Sequence, residues 1–300
     1  MTHPALDSTD PSVIDARLHD KEAELVAWFR GHGSALIGYS GGVDSAYLAS
    51  VAVDAVGTQN VLAVIGRSAS YPLEQWTRAR EVADQVGVPV LEIDTEEMQD
   101  PRYAANPMNR CYYCKSELWG KLVPVARERG FAVVVDGTNF DDRADYRPGA
   151  QAGREAGVHS PLAELRFTKD EIRALSHRRG LPTWSQPSSP CLSSRLPHGT
   201  EVTPLRLRKV ENAERALRTL GVTGNLRVRF HGETARVEMD HDQLDQWSEP
   251  TRRAAVRRAV QAAGFTRVEL DLRGFRSGSL NTLLRDERDD AHVLDLTEAH

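Results

Sequence analysis

The chain contains no apolar run near the roughly 18 residues that a membrane-crossing helix needs. Its first ten residues, Met1 to Asp10, are polar and lack the apolar core of a secretory leader. These absences predict a cytoplasmic protein with no membrane partner. Basic charge is not in excess: 38 Lys and Arg face 43 Asp and Glu, a formal net charge of −5. That balance argues against a broad nucleic-acid footprint. No internal repeat or low-complexity tract is present. Cysteine is scarce, with three in 300 residues, an odd count that a cytosolic chain does not keep as disulfides. What is present is ordinary globular material: 40% hydrophobic residues, enough for one large domain or two smaller ones.

Short apolar runs alternate with helical patterns over the first half. Ala35-Leu36-Ile37, Val61 to Ile65, Val88 to Ile93 and Phe131 to Val135 read as buried strands. Between them, segments such as Pro72–Val86 and Lys115–Arg129, each followed by glycine, read as helices. Continuous apolar strands separated by helices predict an α/β fold, a parallel sheet with helices on both faces. Thr168-Lys169-Asp170-Glu171 is a capping box opening a further helix. After the Pro-, Ser- and Gly-rich stretch from Leu181 to Val202 the rhythm changes. A helix from Thr203-Pro204, strands at Leu226–Phe230 and Ala235–Met239, a basic helix from Thr251 and a strand at Arg267–Leu272 predict a small C-terminal α+β domain. The expected division is 12–190, 191–284 and a charged tail over 285–300.

The most informative run is Ser40-Gly41-Gly42-Val43-Asp44-Ser45, which follows the first strand and opens a helix. Adjacent glycines let backbone N–H groups approach an anion, the serines add hydroxyl donors, and the helix aims its positive end at the same point. No Gly-Lys-Ser/Thr follows, so this is not a Walker A loop. The string resembles the PP-loop of ATP pyrophosphatases, which split ATP between the α and β phosphates. Asp136-Gly137-Thr138-Asn139 ends another strand, and ligands of parallel sheets bind beyond the carboxyl ends of strands. Both loops are therefore expected to face one crevice.

All three cysteines have notable settings. Cys111-Tyr112-Tyr113-Cys114 is a CxxC pair, and Cys191 lies in Pro190-Cys191-Leu192-Ser193-Ser194-Arg195. Three thiolates suit an iron–sulfur cluster with one open iron, or zinc completed by His198, His159 or His177. A redox pair and unliganded buried thiols are the other readings. Lys115 and Arg195 adjoin the cysteines and could steady phosphate charge, lower a thiol pKa, or be solvated cations. Arg227 and Arg229 alternate along a strand and so leave one face. Two guanidiniums there suit a substrate phosphate, with Glu238 as their partner and Arg276 as a further candidate; an exposed ion-pair network is the alternative. Trp184 could stack on a ring or sit in the core, and Arg252, Arg253, Arg257 and Arg258 form a basic stripe that reads as a solvated helix face.

These motifs recur in a fixed order. The phosphate loop is followed by Arg67-Ser68, Asn109 to Lys115, Asp136 to Asn139, Asp145 to Gly149, Ser160 to Glu164, Pro190 to Arg195, Arg227 to Phe230, Ala235 to Glu238 and Gly274 to Ser279. The ordered set, spanning roughly residues 12 to 282, resembles the LarE family of ATP-dependent sulfur transferases.

The resemblance implies adenylation of the carboxylates of pyridinium-3,5-biscarboxylic acid mononucleotide and exchange of oxygen for sulfur, in nickel-pincer nucleotide cofactor biosynthesis. It implies that Gly38, Ser40, Gly41, Gly42, Asp44, Ser45, Arg67, Gly137, Thr138 and Asn139 bind ATP, with Asp44 acting through Mg²⁺. It implies that Lys115, Arg195, Arg227, Arg229, Glu238 and Arg276 serve the substrate. Cys111, Cys114 and Cys191 would carry sulfur on a [4Fe–4S] cluster; the other family strategy sacrifices a single cysteine, here aligned with Cys191. A sulfide donor protein and a homo-oligomer, such as a hexamer, are further implications. The competing readings are a PP-loop tRNA thiolation enzyme, which needs an RNA-binding surface; an ammonia-using PP-loop amidotransferase, which needs no CxxC; and a non-enzymatic nucleotide-sensing or metal-storage module.

Overall fold

The computed structural model describes residues 11–144, 148–187, 189–276 and 292–297. Asp145 to Arg147 and Ser277 to Ser279, both within the motifs above, lie outside the described residues, as does most of the expected tail. The chain forms two compact units. The first comprises residues up to Arg67, Leu73–Thr95 and Cys111–Gln186; the second comprises Ser68–Pro72, Glu96–Arg110 and Pro187 onward. Two short segments thus join the second unit although they precede the cut expected near residue 190.

In chain order, helix α1 (Pro11–His32) leads to strand β1 (Ala35–Gly38), helix α2 (Val43–Val56) and strand β2 (Val61–Arg67). Helix α3 (Leu73–Val86) precedes strand β3 (Val90–Asp94). The short helix α4 (Pro101–Ala104) belongs to the second unit, and α5 (Arg110–Glu128) leads to β4 (Val133–Asp136). Helices α6 (Pro148–Glu155), α7 (Pro161–Glu164) and α8 (Lys169–Arg178) complete the first unit. The strand order is β3-β2-β1-β4, all parallel. The order reverses between β1 and β4, whose ends pair at Gly38 and Asp136. A parallel sheet opens a crevice at such a reversal, beyond the carboxyl ends.

Strands β1 and β2 are buried because both sheet faces are covered, whereas β3, expected to be buried, is only half-buried because it forms the sheet edge. On one face Leu36, Leu62, Val64 and Val134 pack with Trp119, Leu122 and Ala126 of α5. Helix α2 buries Ala46, Tyr47, Leu48, Ala49, Val51 and Ala52. The capping box at Thr168 and Glu171 forms as expected, each side chain accepting from the other residue's backbone N–H. Helix α5 begins five residues before the expected start, so the CxxC pair lies on its first turns rather than in a loop. The glycine pattern explains how close α5 comes: a Cβ on Gly38 would stand 2.5 Å from Trp119 Cη2, and one on Gly66 2.6 Å from Leu118 Cδ1. Both glycines lie at the carboxyl ends of their strands, which brings α5 down onto that end of the sheet.

The second unit contains α9 (Pro204–Thr219), β5 (Leu226–His231), β6 (Thr234–Met239), α10 (His241–Trp247), α11 (Pro250–Ala262), β7 (Arg267–Asp271) and β8 (Val293–Asp295). Its sheet order is β5-β6-β7-β8, antiparallel except for the β6–β7 pair. Leu207, Val210, Ala213 and Leu217 of α9 and Val256 and Val260 of α11 supply the buried helix faces. Residues 292–297 correct the expectation of a tail. Val293 and Leu294 pair beside β7 and Leu296 is buried, because this short apolar run completes a sheet edge despite its charged surroundings.

The packing at Gly38 is testable. Gly38→Ala is expected to destabilise the chain by about 1–3 kcal/mol through overpacking. Combining it with Trp119→Leu should restore much of that loss relative to Trp119→Leu alone. Urea denaturation of the four proteins measures the coupling.

Candidate active site

The loop after β1 is built around a sharp backbone turn. Gly41 has φ +66, and a Cβ there would lie 2.3 Å from that of Ala79 on α3. A side chain is thus excluded by conformation and by space. The Ser45 hydroxyl accepts from the Ser40 N–H at 3.3 Å and donates to the Gly42 carbonyl at 3.2 Å. The two serine hydroxyls are 3.2 Å apart. Gln75 donates to the Ser40 carbonyl at 3.2 Å. Gly42 caps α2 without a side-chain hydrogen bond, so the N–H groups of the first turn are left to an incoming anion.

The loop after β4 meets this turn directly. A Cβ on Gly137 would be 3.0 Å from the Ser45 nitrogen, so Gly137 permits backbone-to-backbone approach. Thr138 does not point a bare hydroxyl outward: it donates to Asp136 at 2.9 Å, and Ser160 donates to the same carboxylate at 2.8 Å. Asn139 is buried and exchanges backbone and side-chain hydrogen bonds with Asp142. Thr138 and Asn139 therefore shape the loop. Of the expected ATP residues, the structure brings Gly38, Ser40, Gly41, Gly42, Asp44, Ser45 and Gly137 to one end of the sheet. Arg67, on the neighbouring strand end, lies across Trp76 and pairs with Glu92 at 2.9 Å, a half-exposed bridge of small energetic weight.

Sequence reasoning missed Lys169. Its ammonium donates to Asp44 Oδ2 at 2.6 Å, while Asp44 Oδ1 is buried with no hydrogen-bond partner. The capping box placed Lys169 at the start of α8, but only the fold turns it toward a carboxylate 125 residues earlier. A cation beside the phosphate loop and an acceptor-only oxygen facing inward suit phosphate charge and a hard divalent ion respectively.

The cysteines divide between the units. Cys111 and Cys114 lie three residues apart on α5 and so share a helix face. Lys115 sets its ammonium 5.0 Å from the centre of the Trp119 ring, the same ring that abuts Gly38. Cys191 lies in the second unit. None of the three forms a disulfide. Among the described residues no three His, Cys, Asp or Glu side chains are gathered as ligands of one metal ion. His159 stands 3.4 Å from Glu164, and His177 packs edge-on against the partly exposed Trp184.

In the second unit the expected substrate residues form a buried ionic layer. Arg227, Arg229 and Glu238 share one face of the sheet and are each buried. Arg229 binds Glu238 Oε2 through Nε at 3.1 Å and Nη2 at 2.9 Å, and donates to the Ser194 carbonyl at 2.9 Å. Arg195 binds Glu214 of α9 through Nε at 2.9 Å and Nη2 at 3.0 Å. Glu214 also accepts the Val228 N–H at 3.0 Å. Burial pushes the Glu214 carboxyl up, but the Arg195 guanidinium, the hydrogen bonds and Arg227 outweigh it and hold the group below 4.5. Arg227 lies over the Phe275 ring. Burial first, then the like charge of Arg195, lower its pKa to about 10, so it stays cationic near neutrality. Arg276 is exposed, 4.0 Å from Asp271.

Comparisons with known proteins bear on this geometry. The family model described as NAD synthase matches residues 26–107, the stretch from the end of α1 past β3. An uncharacterised protein of Synechocystis is 44% identical over 89% of this chain and 99% of its own length. The pyridinium-3,5-bisthiocarboxylic acid mononucleotide synthase of Lactiplantibacillus plantarum is 36% identical over 90% of this chain and 96% of its own. An uncharacterised protein of Methanocaldococcus jannaschii is 28% identical over 81% and 90%.

Two outcomes follow from the site's electrostatics. Lys169→Met is expected to lower pyrophosphate release by about 10-fold or more, the loss of one charge-stabilising group, with Glu92→Gln near wild type; a coupled pyrophosphate assay measures both. Because the folded Glu214 carboxyl titrates below its unfolded value, its stabilisation is full above pH 4.5 and lost as pH falls through the folded pKa. The stability gap between wild type and Glu214→Gln, on the order of 3 kcal/mol for a broken buried pair, should therefore narrow in acid. Chemical denaturation at a series of pH values reads this directly.

Proposed function

Because the chain belongs to the LarE family of ATP-dependent sulfur transferases, we propose that it converts pyridinium-3,5-biscarboxylic acid mononucleotide to the bis-thiocarboxylic acid. The observation that carries this reading is the 36% identity spanning 96% of the named synthase. The phosphate loop, the uncapped start of α2 and Lys169 support it from the side of ATP.

A carboxylate is a poor electrophile, since its charge repels nucleophiles and it has no good leaving group. Adenylation removes both faults. A substrate carboxylate oxygen attacks the α-phosphorus of ATP, the bond to the β-phosphate oxygen breaks, and pyrophosphate leaves. The N–H groups at the start of α2, the hydroxyls of Ser40 and Ser45, and Lys169 would hold the departing charge. Asp44 would hold Mg²⁺ through its unpartnered oxygen, and the ion supplies charge neutralisation along the polyphosphate. Sulfur at the hydrosulfide level then adds to the acyl carbon and AMP departs. Two rounds give the product.

Cys111, Cys114 and Cys191 would hold a [4Fe–4S] cluster. Their fit rests on the donor set, three thiols outside any disulfide, two of them one helical turn apart. Such a cluster supplies an open iron for an external sulfide. Lys115, Arg67 and Arg276 are the peripheral cations of the reading; Arg227 would lend positive charge toward the substrate phosphate, and Arg229 would act with it through charge alone, its donors being engaged by Glu238 and the Ser194 carbonyl. A cytoplasmic homo-oligomer fed by a sulfide donor protein completes it.

The test is anaerobic purification with iron and sulfide counting, then incubation with ATP, sulfide and the biscarboxylate nucleotide. Substrate-dependent pyrophosphate and a thiocarboxylate product are expected, with Cys191→Ala abolishing the second. A protein without iron that loses sulfur from Cys191 after one turnover would replace the cluster with sacrificial donation. Absence of both products under sulfide-fed and single-turnover conditions would sink the assignment.

A further inference from the structure

The segment from Pro190 to Pro197 holds a single 3-10 turn, Leu192–Arg195, with Cys191 at its N-cap, and its backbone carbonyls are captured by side chains. Arg195 Nη1 donates to the Pro190 carbonyl at 2.5 Å and the Cys191 carbonyl at 3.1 Å. The Cys191 carbonyl also accepts from the Ser194 N–H at 3.0 Å and the Ser194 hydroxyl at 2.8 Å. Arg110 holds the Ser193 carbonyl at 3.0 Å, and Arg229 the Ser194 carbonyl at 2.9 Å. Asn106 donates to the Pro197 carbonyl at 2.7 Å. On the donor side, the Leu192 N–H reaches the Ser70 carbonyl at 2.8 Å.

Arg195 is the brace that reaches the carbonyls on both sides of the Cys191 α-carbon, and its guanidinium is divided by function. It is 1% exposed. Its Nε and Nη2 edge is fully engaged by Glu214, which is itself anchored to the edge strand through the Val228 N–H. That bidentate grip fixes the plane of the guanidinium, and Nη1 is thereby aimed at the two carbonyls flanking the Cys191 α-carbon. A residue whose neighbouring carbonyls are pinned has fixed backbone dihedrals, here φ −57 and ψ 154, and so a fixed Cα–Cβ direction. With no open donor edge, Arg195 is poorly suited to the phosphate contact expected from its sequence position.

We propose that Arg195, held by Glu214, is a positioning residue that sets the direction in which the Cys191 thiol is presented. The role in turnover rests on the reading of Cys191 as the sulfur-bearing residue; the mechanical role does not. Lysine cannot substitute, because a single ammonium cannot span a carboxylate edge and two carbonyls at once.

The test uses the full-length chain under anaerobic conditions with a chelator present. Alkylation rates of each cysteine are followed by peptide mass spectrometry for wild type, Arg195→Lys, Glu214→Gln and, as a control on a different ion pair of the second unit, Arg236→Lys, whose guanidinium pairs with Glu269 at 3.0 Å between β6 and β7. In the first two variants Cys191 should alkylate at least about threefold faster while Cys111 and Cys114 are unchanged; their kcat for thiocarboxylate should fall about 10- to 100-fold with KM for ATP held, the pattern of a displaced reacting group. Arg236→Lys should match wild type. If Arg195→Lys does not fold, Glu214→Gln, which keeps the guanidinium but removes one charged partner, decides alone. Unchanged Cys191 alkylation in a folded variant overturns the proposal. If wild type forms no thiocarboxylate, the reaction assignment fails, and the alkylation comparison still decides the clamp.

Discussion

The first unit turns on one close approach of backbone to backbone, where a Cβ on Gly137 would stand only 3.0 Å from the Ser45 nitrogen. Parallel neighbours β1 and β4 deliver their two loops to the same level, and the absence of a side chain lets the loops touch. The turn after β1 therefore presents peptide N–H groups at the start of α2 and the short hydroxyls of Ser40 and Ser45. Peptide dipoles fixed by a sheet need no reorganisation when charge develops on a phosphate, which is why such a site stabilises a leaving pyrophosphate better than mobile side chains would. Gly41 packed on Ala79 and Gly38 packed on Trp119 belong to the same constraint. Helices α3 and α5 close down on this end of the sheet because the glycines leave room.

The second unit solves a different problem, that of holding charge away from water. Arg195, Arg227 and Arg229 with Glu214 and Glu238 are a costly set to bury, and such groups persist only where each ion is matched in geometry as well as sign. Side-on pairing of Arg195 with Glu214 and of Arg229 with Glu238 meets that condition. Burial, and after it the like charge of Arg195, lowers the pKa of Arg227 in this layer. The same layer grips the Cys191 segment by its carbonyls, so the electrostatics of the sheet and the placement of the thiol are one arrangement.

Most of the fold was legible in the sequence because its signals are local. Apolar runs bounded by glycine gave the strands, Thr168 and Glu171 gave a helix start, and the doubled glycine after a strand gave the phosphate loop. The early start of α5 was not legible, since Cys111 and Tyr112 carry no helical signature of their own. Residues 292–297 were read as tail because charge surrounds the few apolar positions that pair with β7. Lys169 was visible as the first residue of a helix and not as a partner of Asp44. Arg195 was legible as a cation beside a cysteine, but not as the holder of that cysteine's backbone.

By itself the sequence determined the chemistry on offer: a loop that can cradle phosphate, three thiols, and alternating arginines on a strand. These depend on residue type and short spacing, which a linear chain contains in full. The tertiary structure decided which groups are occupied and which are open. It paired Lys169 with Asp44, closed one edge of Arg195 with Glu214, and turned Thr138 and Asn139 inward. Such choices depend on distances between residues far apart in the chain, and burial then makes each pairing obligatory, because an unmatched charge or carbonyl in the interior costs more than the local sequence can offset.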